Sequence, residues 1–273
     1  LRFIFKDIRR IRNLLKGVAI DILFIPMAHP WSTLTRMLLP CKHCVGTLHD
    51  PIIHPGTPKL IRLFLWIDSL RTFDSLVILS QTYFEYTKKK YKKEDREVVV
   101  IPHGAFSHYD MYSGGANSNP ISKFNFLFFG RITEYKGIDL LVDAYSRLSS
   151  ERDDVSLRII GEGDMSPYQE KISGCRNCIV DNRYIGDDEV HNIFSMANSI
   201  TVIPYTSATQ SGVIPIAMRE KSLIINTNIT SLLEQTLNGS LSLCCDADVA
   251  YDIACAYGDC VNNKEANAKI IRL

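Results

Sequence analysis

Apolar runs bounded by turn residues alternate along the chain with segments of helical period. The runs predict strands, and the amphipathic segments between them predict helices. This alternation is typical of βαβ units around a parallel sheet, so the pattern predicts an α/β fold. Because the predicted strands are rich in Val, Ile and Leu without polar alternation, we expect helices on both faces of each sheet.

The first part of the chain opens on an amphipathic helix, predicted over residues 3–15. A doubly wound domain normally opens on a strand and a glycine-rich turn. We therefore expect a strand and helix to be missing before residue 1, and closing helices to be missing after residue 273. The other predicted elements of this part are strands at 18–25, 44–49, 75–79 and 98–101, and helices at 58–70 and 82–91.

Residues 104–122 are polar and lack periodicity, as expected of an interdomain linker. They separate two predicted domains, residues 1–103 and 123–273. Two domains suit a chain of 273 residues with 46% hydrophobic content. In the second domain, strands are predicted at 124–129, 156–160, 200–203 and 223–226, and helices at 138–148, 188–196 and 211–218.

The composition excludes some classes of function. Lys and Arg number 31 against 30 Asp and Glu, a net charge of +1, which argues against a nucleic-acid binder that relies on overall charge. No apolar run reaches the roughly 20 residues of a membrane span, and the first residues lack the features of a signal peptide. We therefore expect a cytoplasmic protein.

The 8 cysteines include two CxxC pairs, Cys41 with Cys44 and Cys175 with Cys178. Four such thiolates are the ligands of one kind of zinc site. The pairs lie in different halves of the chain, and Cys44 opens a strand that is predicted to be buried. We therefore favour reduced cysteines that fill the cores over a zinc site.

Three strand ends in the second domain carry residues suited to binding a diphosphate. The carboxyl ends of parallel strands form the ligand-binding edge of a doubly wound sheet. After the first strand, Gly130 allows a ligand to approach the backbone, and Arg131 and Lys136 supply positive charge. The alternative interpretation is a basic turn capped by Gly137.

The next strand end carries Gly161-Glu162-Gly163, whose exposed backbone suits a base or ribose, although a simple tight turn is an alternative. The third carries a string of hydroxyl residues before a predicted helix. Because the first N–H groups of a helix are free, such an end is a ready anion site. Helix capping by Ser207 or Thr209 explains only part of the string.

In their order and spacing, these motifs resemble the C-terminal domain of family-4 (group 1) glycosyltransferases. The resemblance covers about residues 124–235, and two strings, at residues 47–50 and 100–104, extend it into the first domain. It implies the GT-B fold, with two Rossmann-like domains whose parallel sheets face a cleft and an incomplete N-terminal domain. The matching strings are Phe128-Phe129-Gly130-Arg131, Lys136-Gly137, Ile159-Ile160-Gly161-Glu162-Gly163, Arg183-Tyr184-Ile185-Gly186, Pro204-Tyr205 and Ala208-Thr209-Gln210-Ser211-Gly212-Val213.

The resemblance also implies the roles of individual residues. Arg131 and Lys136 are expected to bind the donor diphosphate, and His49 to lie across the cleft near the donor sugar, so these three are the expected catalytic residues. An imidazole there can hydrogen-bond the sugar or the leaving phosphate. His103 and His54 are weaker candidates. The expected donor-binding set is Gly130, Arg131, Lys136, Gly161, Glu162, Gly163, Tyr205, Thr209, Gln210, Ser211, Gly212, Val213 and Glu234.

The chain departs from the family pattern at one place. Many members carry two Glu separated by seven residues, which bind the donor sugar and the ribose. Counting back from Glu234 puts these positions at Ala208 and Ile216, so neither carboxylate is present. The subgroup with the Ala-Thr-Gln-Ser-Gly-Val string resembles this chain more closely, which implies that residues 209–211 make the polar contacts instead.

Asp246 and Asp248 have the spacing of a metal-binding DxD motif. Their place at a predicted helix start favours a capping role, in which a carboxylate accepts hydrogen bonds from free N–H groups. The resemblance implies metal-independent transfer, with Arg131 and Lys136 in place of the ion. We therefore expect neither a metal nor a cofactor.

The first helix carries apolar residues on one side and basic residues around the remainder. Packing against the first sheet is one interpretation. The other is docking on anionic lipid, which suits an enzyme with a lipid-linked acceptor. We interpret the Lys88–Lys93 run as a solvated helix end favoured by the helix dipole, and the alternative is a contribution to such a surface.

Together these features predict a retaining transferase that moves a hexose-type sugar from a nucleoside diphosphate to a glycan or lipid-linked acceptor, in cell-surface polysaccharide biosynthesis. We expect it in the cytoplasm or on the inner face of the membrane, with the acceptor entering beside His49 and Asp50. One alternative is a non-catalytic relic or partner subunit, motivated by the missing first strand and the absent Glu pair. Another is an epimerase or phosphorylase of the same architecture.

Overall fold

The structure is a computed structural model that describes residues 2–27, 29, 31–52, 62–63, 66–67, 71–104, 124–196, 199–238 and 243–245. The chain divides into two compact units, Leu1–Pro102 and His103–Leu273. The predicted linker (except Gly104), most of the predicted helix at 58–70, His54, and the pair Asp246 and Asp248 lie outside the described residues.

The described part of the first unit contains a parallel sheet of four strands in the order β1-β2-β3-β4. The central strand β3 is buried along its whole length, whereas the edge strand β1 is largely exposed. The elements are α1 (Arg2–Leu14), β1 (Ile20–Ile25), α2 (Ser32–Leu38), β2 (Cys41–Leu48), β3 (Ser75–Ile78), α3 (Phe84–Lys90) and β4 (Val98–Val100).

Two features of the first unit differ from the sequence prediction. Helix α2 was not predicted, because it is a single short segment of seven residues without a repeated apolar period. Strand β2 begins at Cys41 rather than at Cys44, because its polar first residues pair with β1, Cys41 opposite Ile20 and His43 opposite Ile22. Pairing with a neighbouring strand therefore extends β2 beyond its apolar run.

The second unit contains a six-stranded parallel sheet in the order β10-β9-β8-β5-β6-β7. The strands are β5 (Phe124–Phe129), β6 (Val155–Ile160), β7 (Cys178–Asp181), β8 (Ser199–Ile203), β9 (Leu223–Thr227) and β10 (Leu243–Cys245). The helices are α4 (Ile138–Glu151), α5 (Gln169–Ser173), α6 (Asp187–Phe194), α7 (Val213–Arg219) and α8 (Thr230–Gln235). Among these, α5, β7, α8 and β10 were not predicted.

This strand order is that of a doubly wound sheet, whose direction of winding reverses between β5 and β8. The sheet core includes Phe126 and Phe128 of β5 and Leu157 of β6, none of which is more than 1% exposed. At the reversal point the connections on the two sides lead away from each other, which opens a crevice at the carboxyl ends of the strands. The structure therefore confirms the predicted α/β class and puts the candidate site at the ends of β5 and β8.

Backbone pairing between β5 and β6 continues beyond the strand ends. The Gly130 N–H donates to the Ile160 carbonyl (3.0 Å), and the Ile132 N–H donates to the Glu162 carbonyl (2.9 Å). Gly161 has a φ of +143°, and a Cβ there would lie 2.1 Å from the Gly130 carbonyl oxygen. The two chains approach so closely that only glycine fits at position 161.

We predict that Gly161→Ala destabilises the second unit by at least about 2 kcal/mol, because both the φ angle and the Gly130 carbonyl oppose a methyl group. Hydrogen exchange of the β5 and β6 amides at increasing urea concentration measures the loss. Gly174→Ala is the matched control, because a Cβ at this glycine meets nothing closer than 3.6 Å. Equal stability of the two variants would contradict the close approach.

Candidate functional site

The turn after β5 packs directly against the segment after β8. A 3₁₀ turn, Glu134–Lys136, ends at Gly137, which has a left-handed φ of +66°. A Cβ on Gly137 would lie 1.9 Å from the Pro204 carbonyl oxygen. The Thr206 N–H donates to the Tyr135 carbonyl (2.9 Å), so backbone contacts join the two loops across the reversal point of the sheet.

Lys136 and Tyr205 meet at this junction. The Lys136 ammonium donates a hydrogen bond to the Tyr205 hydroxyl at 2.5 Å, and its Nζ lies 3.7 Å from the centre of the tyrosine ring. Tyr205 is only 1% exposed, and burial raises its pKa to about 12 although a hydrogen bond from Ser211 lowers it. The phenol is therefore neutral at physiological pH and presents a dipole and a ring face to the cation.

Side chains of β9 and α8 form hydrogen bonds with the backbone of residues 205–213. Gln235 bonds both backbone groups of Ser211, because its Oε1 accepts from the Ser211 N–H (2.7 Å) and its Nε2 donates to the Ser211 carbonyl (3.1 Å). The Thr227 hydroxyl donates to the Tyr205 carbonyl (2.6 Å) and the Ser231 hydroxyl to the Ala208 carbonyl (2.7 Å). Sequence reasoning missed these three residues, which have no local signal.

A cavity of ≈ 280 Å³ opens at the ends of β5 and β6 and at the loop after β7. Some of its lining residues belong to the predicted donor-binding set, and others lie in or near the loop after β7, to which the sequence analysis assigned no role. The predicted lining residues are Gly130, Arg131, Gly161 and Glu162, and the others are Phe129, Arg183, Tyr184, Ile185, Asp187 and Val190. The Arg183-Tyr184-Ile185-Gly186 string was the signal for this wall of the cavity.

Arg183 is fully engaged in shaping that loop. Its guanidinium donates to both carboxylate oxygens of Glu189 (2.7 and 2.6 Å) and to Asp181 (3.0 Å). Glu189 also accepts from the Gly186 N–H (3.3 Å), which is the glutamate half of a capping box at the start of α6. Hydrogen bonds from Arg183, then from Gly186, lower the pKa of Glu189 from its ordinary value of 4.5 to about 2.

The remaining predicted donor-site residues lie along these loops. Gly163 is bonded through both backbone groups to the Asn182 amide, at 3.1 and 3.0 Å. Thr209 and Val213 are buried, and Gly212 precedes the first turn of α7, which starts two residues later than predicted. Glu234 is partly exposed on α8.

Two polar atoms in the predicted strings are buried without a hydrogen-bond partner among the described residues. They are the Thr133 hydroxyl oxygen, between Arg131 and Lys136, and the Gln210 side-chain oxygen, before α7. Most buried polar atoms in proteins are paired, so these two atoms are exceptions. Positions Ala208 and Ile216, where the Glu pair is missing, are buried and apolar.

His49 lies in the first unit, directly after β2. Its Nε2 forms a hydrogen bond of 3.0 Å with the carbonyl of Pro26, which directly follows β1. The imidazole thus sits at the carboxyl edge of the first sheet, which is the edge where a doubly wound fold carries its functional groups. Asp50 beside it is exposed, and His103 Nδ1 lies 3.0 Å from the Gly104 carbonyl.

Comparison with known families identifies this arrangement. Residues 123–263, about half of the chain, match the family described as glycosyl transferases group 1.

The chain belongs to the group 1 glycosyl transferases.

A search of curated protein sequences gives no significant match. Similarity among solved structures is broad at low identity. A glycosyltransferase from Rickettsia africae is 18% identical, with a TM-score of 0.67 over 98% of this chain and 76% of that one. Anabaena HepE in complex with UDP-glucose is 13% identical, with a TM-score of 0.71 over 96% and 74%. The sucrose-phosphate synthase of Thermosynechococcus elongatus is 15% identical, with a TM-score of 0.68 over 98% and 73%. These likenesses confirm the predicted GT-B fold class of this group 1 glycosyl transferase.

The cysteine pairs behave as packing residues. All four cysteines are free thiols, and Cys44 is completely buried. Burial raises the pKa of Cys44 to about 11 and that of Cys178 to about 12, so both thiols are protonated at physiological pH. Within the described ranges, no three His, Cys, Asp or Glu side chains cluster as metal ligands.

None of the described helices combines the length and apolar character needed to cross a bilayer.

We predict that Glu189 titrates near pH 2, as measured by NMR of its side-chain carboxyl carbon. Because its folded pKa lies below the unfolded value, the contact with Arg183 stabilises the loop above the unfolded pKa and is lost as pH falls toward 2. Arg183→Gln should return the pKa of Glu189 toward 4.5. A native Glu189 that already titrates near 4.5 would show that the ion pair does not form in solution.

Proposed function

We propose that this chain is a retaining glycosyltransferase that transfers a sugar from a nucleoside-diphosphate sugar to a glycan or lipid-linked acceptor, in the synthesis of a cell-surface polysaccharide. The observation that carries the proposal is the placement of Arg131 and Lys136 on one turn at the reversal point of the sheet, where Arg131 lines a cavity. Membership of the group 1 family supports transfer, and the family resemblance supports retention.

The cavity suits the nucleoside end of the donor. Phe129, Ile185 and Val190 give it apolar walls, and Tyr184, which is 75% exposed, offers a ring face on which a base can stack. The similar Anabaena structure holds UDP-glucose. The Arg183 charge is balanced by two carboxylates, so we assign Arg183 to shaping this wall and not to binding phosphate.

The diphosphate then lies toward Arg131 and Lys136. When the bond from the sugar C1 to the diphosphate oxygen breaks, negative charge grows on the leaving phosphate, and two fixed cations stabilise that charge. The Lys136 ammonium, held by its hydrogen bond to Tyr205, is the second of these cations. These cations take the place of a metal ion in the proposed reaction, and no cofactor is needed.

The donor sugar has no carboxylate partner at Ala208 or Ile216. We assign its polar contacts to Gln210, whose buried oxygen has no partner in the described part of the chain, and to Thr209. An amide both donates and accepts, so Gln210 suits a sugar hydroxyl. His49 is proposed to bond the sugar or the leaving phosphate, and Glu234 the ribose, as the family resemblance implies.

The proposed enzyme works in the cytoplasm, on the inner face of the membrane. Helix α1 packs on its own unit through Ile8, which is 7% exposed, and leaves Leu14 76% exposed. Its basic residues Lys6, Arg9, Arg10 and Arg12 are exposed as well. Exposed apolar and basic side chains on one helix favour contact with anionic lipid.

We predict that the chain binds UDP or GDP with micromolar affinity, and that calorimetry identifies the base. Arg131→Ala combined with Lys136→Ala should weaken binding about 100-fold or more, because hydrogen bonds to charged groups contribute about 1.5–3 kcal/mol each. Arg147→Ala combined with Lys171→Ala is the control, because both residues are exposed on the outside of α4 and α5 and the same charge is removed.

A native chain that is folded but binds neither nucleotide would overturn the donor site. That result would favour the alternative of a non-catalytic relic or partner subunit, for which the apolar Ala208 and Ile216 are the supporting observation. Binding without release of free nucleoside diphosphate in the presence of acceptor would favour the same alternative.

We predict that the chain sediments with vesicles containing anionic lipid, and that changing Lys6, Arg9, Arg10 and Arg12 to Gln reduces the bound fraction severalfold, because each basic residue near such a surface contributes about 1 kcal/mol. Changing Lys88, Lys89 and Lys92 to Gln instead tests the second basic run, and neutral vesicles are the control. Equal binding of the native chain and the α1 variant would remove α1 from the contact.

A further inference from the structure

Tyr205 is part of the predicted donor-binding string, but the proposed donor site gives it no role. Its side chain is 1% exposed, so it offers almost no surface to a ligand, yet its string matches the donor-site pattern. If Tyr205 served only as a core residue, any nearby backbone or side-chain group could be the hydrogen-bond partner of its hydroxyl. Here the partner is the ammonium of Lys136, 69 residues earlier in the chain and part of a different loop.

The geometry around Lys136 restricts the ammonium from several sides. The Tyr205 hydroxyl accepts one N–H, and the ring face of the same residue lies under Nζ, 3.7 Å from its centre. The Tyr135 ring centre is 5.4 Å from Nζ, and the two tyrosine rings meet edge to face at 82°. A hydroxyl and an aromatic face together favour one position of a cation that otherwise has several rotatable bonds.

The anchor is itself immobilised. The Tyr205 hydroxyl also accepts from the Ser211 hydroxyl (3.3 Å), and Ser211 is bonded through its backbone to Gln235 of α8. The Tyr205 carbonyl accepts a hydrogen bond from the hydroxyl of Thr227, the last residue of β9. A continuous set of contacts thus runs from α8 through Ser211 and Tyr205 to the lysine on the turn after β5.

We propose that Tyr205 is a positioning residue that acts through Lys136, holding the ammonium where it meets the donor diphosphate. The inference rests on the proposed function, because the ligand of Lys136 is the diphosphate of that proposal. Fixing a lysine before the ligand arrives reduces the entropy lost on binding and keeps the charge in place while the leaving group departs. Tyr205 therefore contributes to the donor site without touching the donor.

The test is the Tyr205→Phe variant of the full chain, which keeps the ring and removes only the hydroxyl. We expect roughly tenfold weaker binding of UDP, because a hydrogen bond to a charged group is lost, and little change in the binding of uridine, which has no phosphate. Tyr145→Phe is the matched control, since that buried hydroxyl bonds the Arg176 carbonyl (2.8 Å) elsewhere in the unit and its loss should leave UDP binding unchanged.

A double-mutant cycle separates positioning from a general loss of structure. In a Lys136→Met background, Tyr205→Phe should have no further effect on UDP binding, whereas damage to the fold would lower it again. If Tyr205→Phe binds UDP as tightly as the native chain does, the positioning role of Tyr205 is overturned and the proposed function is unaffected. A native chain that binds neither UDP nor GDP overturns both, and a chain that binds only GDP is tested with GDP and guanosine in place of UDP and uridine.

One measurement does not depend on a folded variant. Ring current from Tyr205 should move the ε-methylene proton resonances of Lys136 upfield of those of Lys171, which pairs with Asp143 on the surface. Equal resonances for the two lysines in the native chain would show that Lys136 does not occupy this position.

Discussion

The site depends on close contacts between the backbones of neighbouring loops, which leave no room for a Cβ atom at two glycines. At Gly161 a Cβ would meet the carbonyl of Gly130, and at Gly137 it would meet the carbonyl of Pro204. These contacts fasten the loops after β5, β6 and β8 to one another at the reversal point of the sheet. Arg131 and Lys136 are carried on the loop in the middle, so their positions follow from packing that any larger residue would break.

The local charge distribution divides the arginines of the site into two kinds. Arg183 is held by Asp181 and Glu189, so its charge is neutralised and its geometry shapes a cavity wall. Arg131 lines the same cavity and is exposed, and no carboxylate among the described residues lies within ion-pair distance of it. A protein with a net charge of only +1 thus keeps an uncompensated positive charge at the place where an anion is expected.

The sequence was sufficient for the central strands because β5, β8 and β9 are buried on both faces and consist mainly of apolar residues. It was insufficient for β7, an edge strand whose middle residues are exposed, and for the short helices α2 and α8, which have too few turns for a periodic signal. The length and the burial of an element, more than its residue types, therefore determined whether the sequence pattern predicted it.

The candidate site divides in the same way. Glycine and paired basic residues after a strand carry their own signal, and Gly130, Arg131 and Lys136 were found from it. Gln235 was not found, because a glutamine on a short helix looks like any solvated residue until the fold brings it to Ser211, 24 positions away. The partnership of Lys136 with Tyr205 was hidden for the same reason, although each residue was singled out separately.

The hydrogen bond between His49 and Pro26 determines which tautomer the imidazole adopts. A proline carbonyl has no hydrogen to give, so Nε2 must carry one, and in the neutral ring the lone pair resides on Nδ1. Any proton that this histidine takes up must therefore enter at Nδ1, while Nε2 stays tied to the first sheet. The side chain can change its charge without turning its ring, so the sheet edge gains a proton-accepting atom whose direction is set in advance.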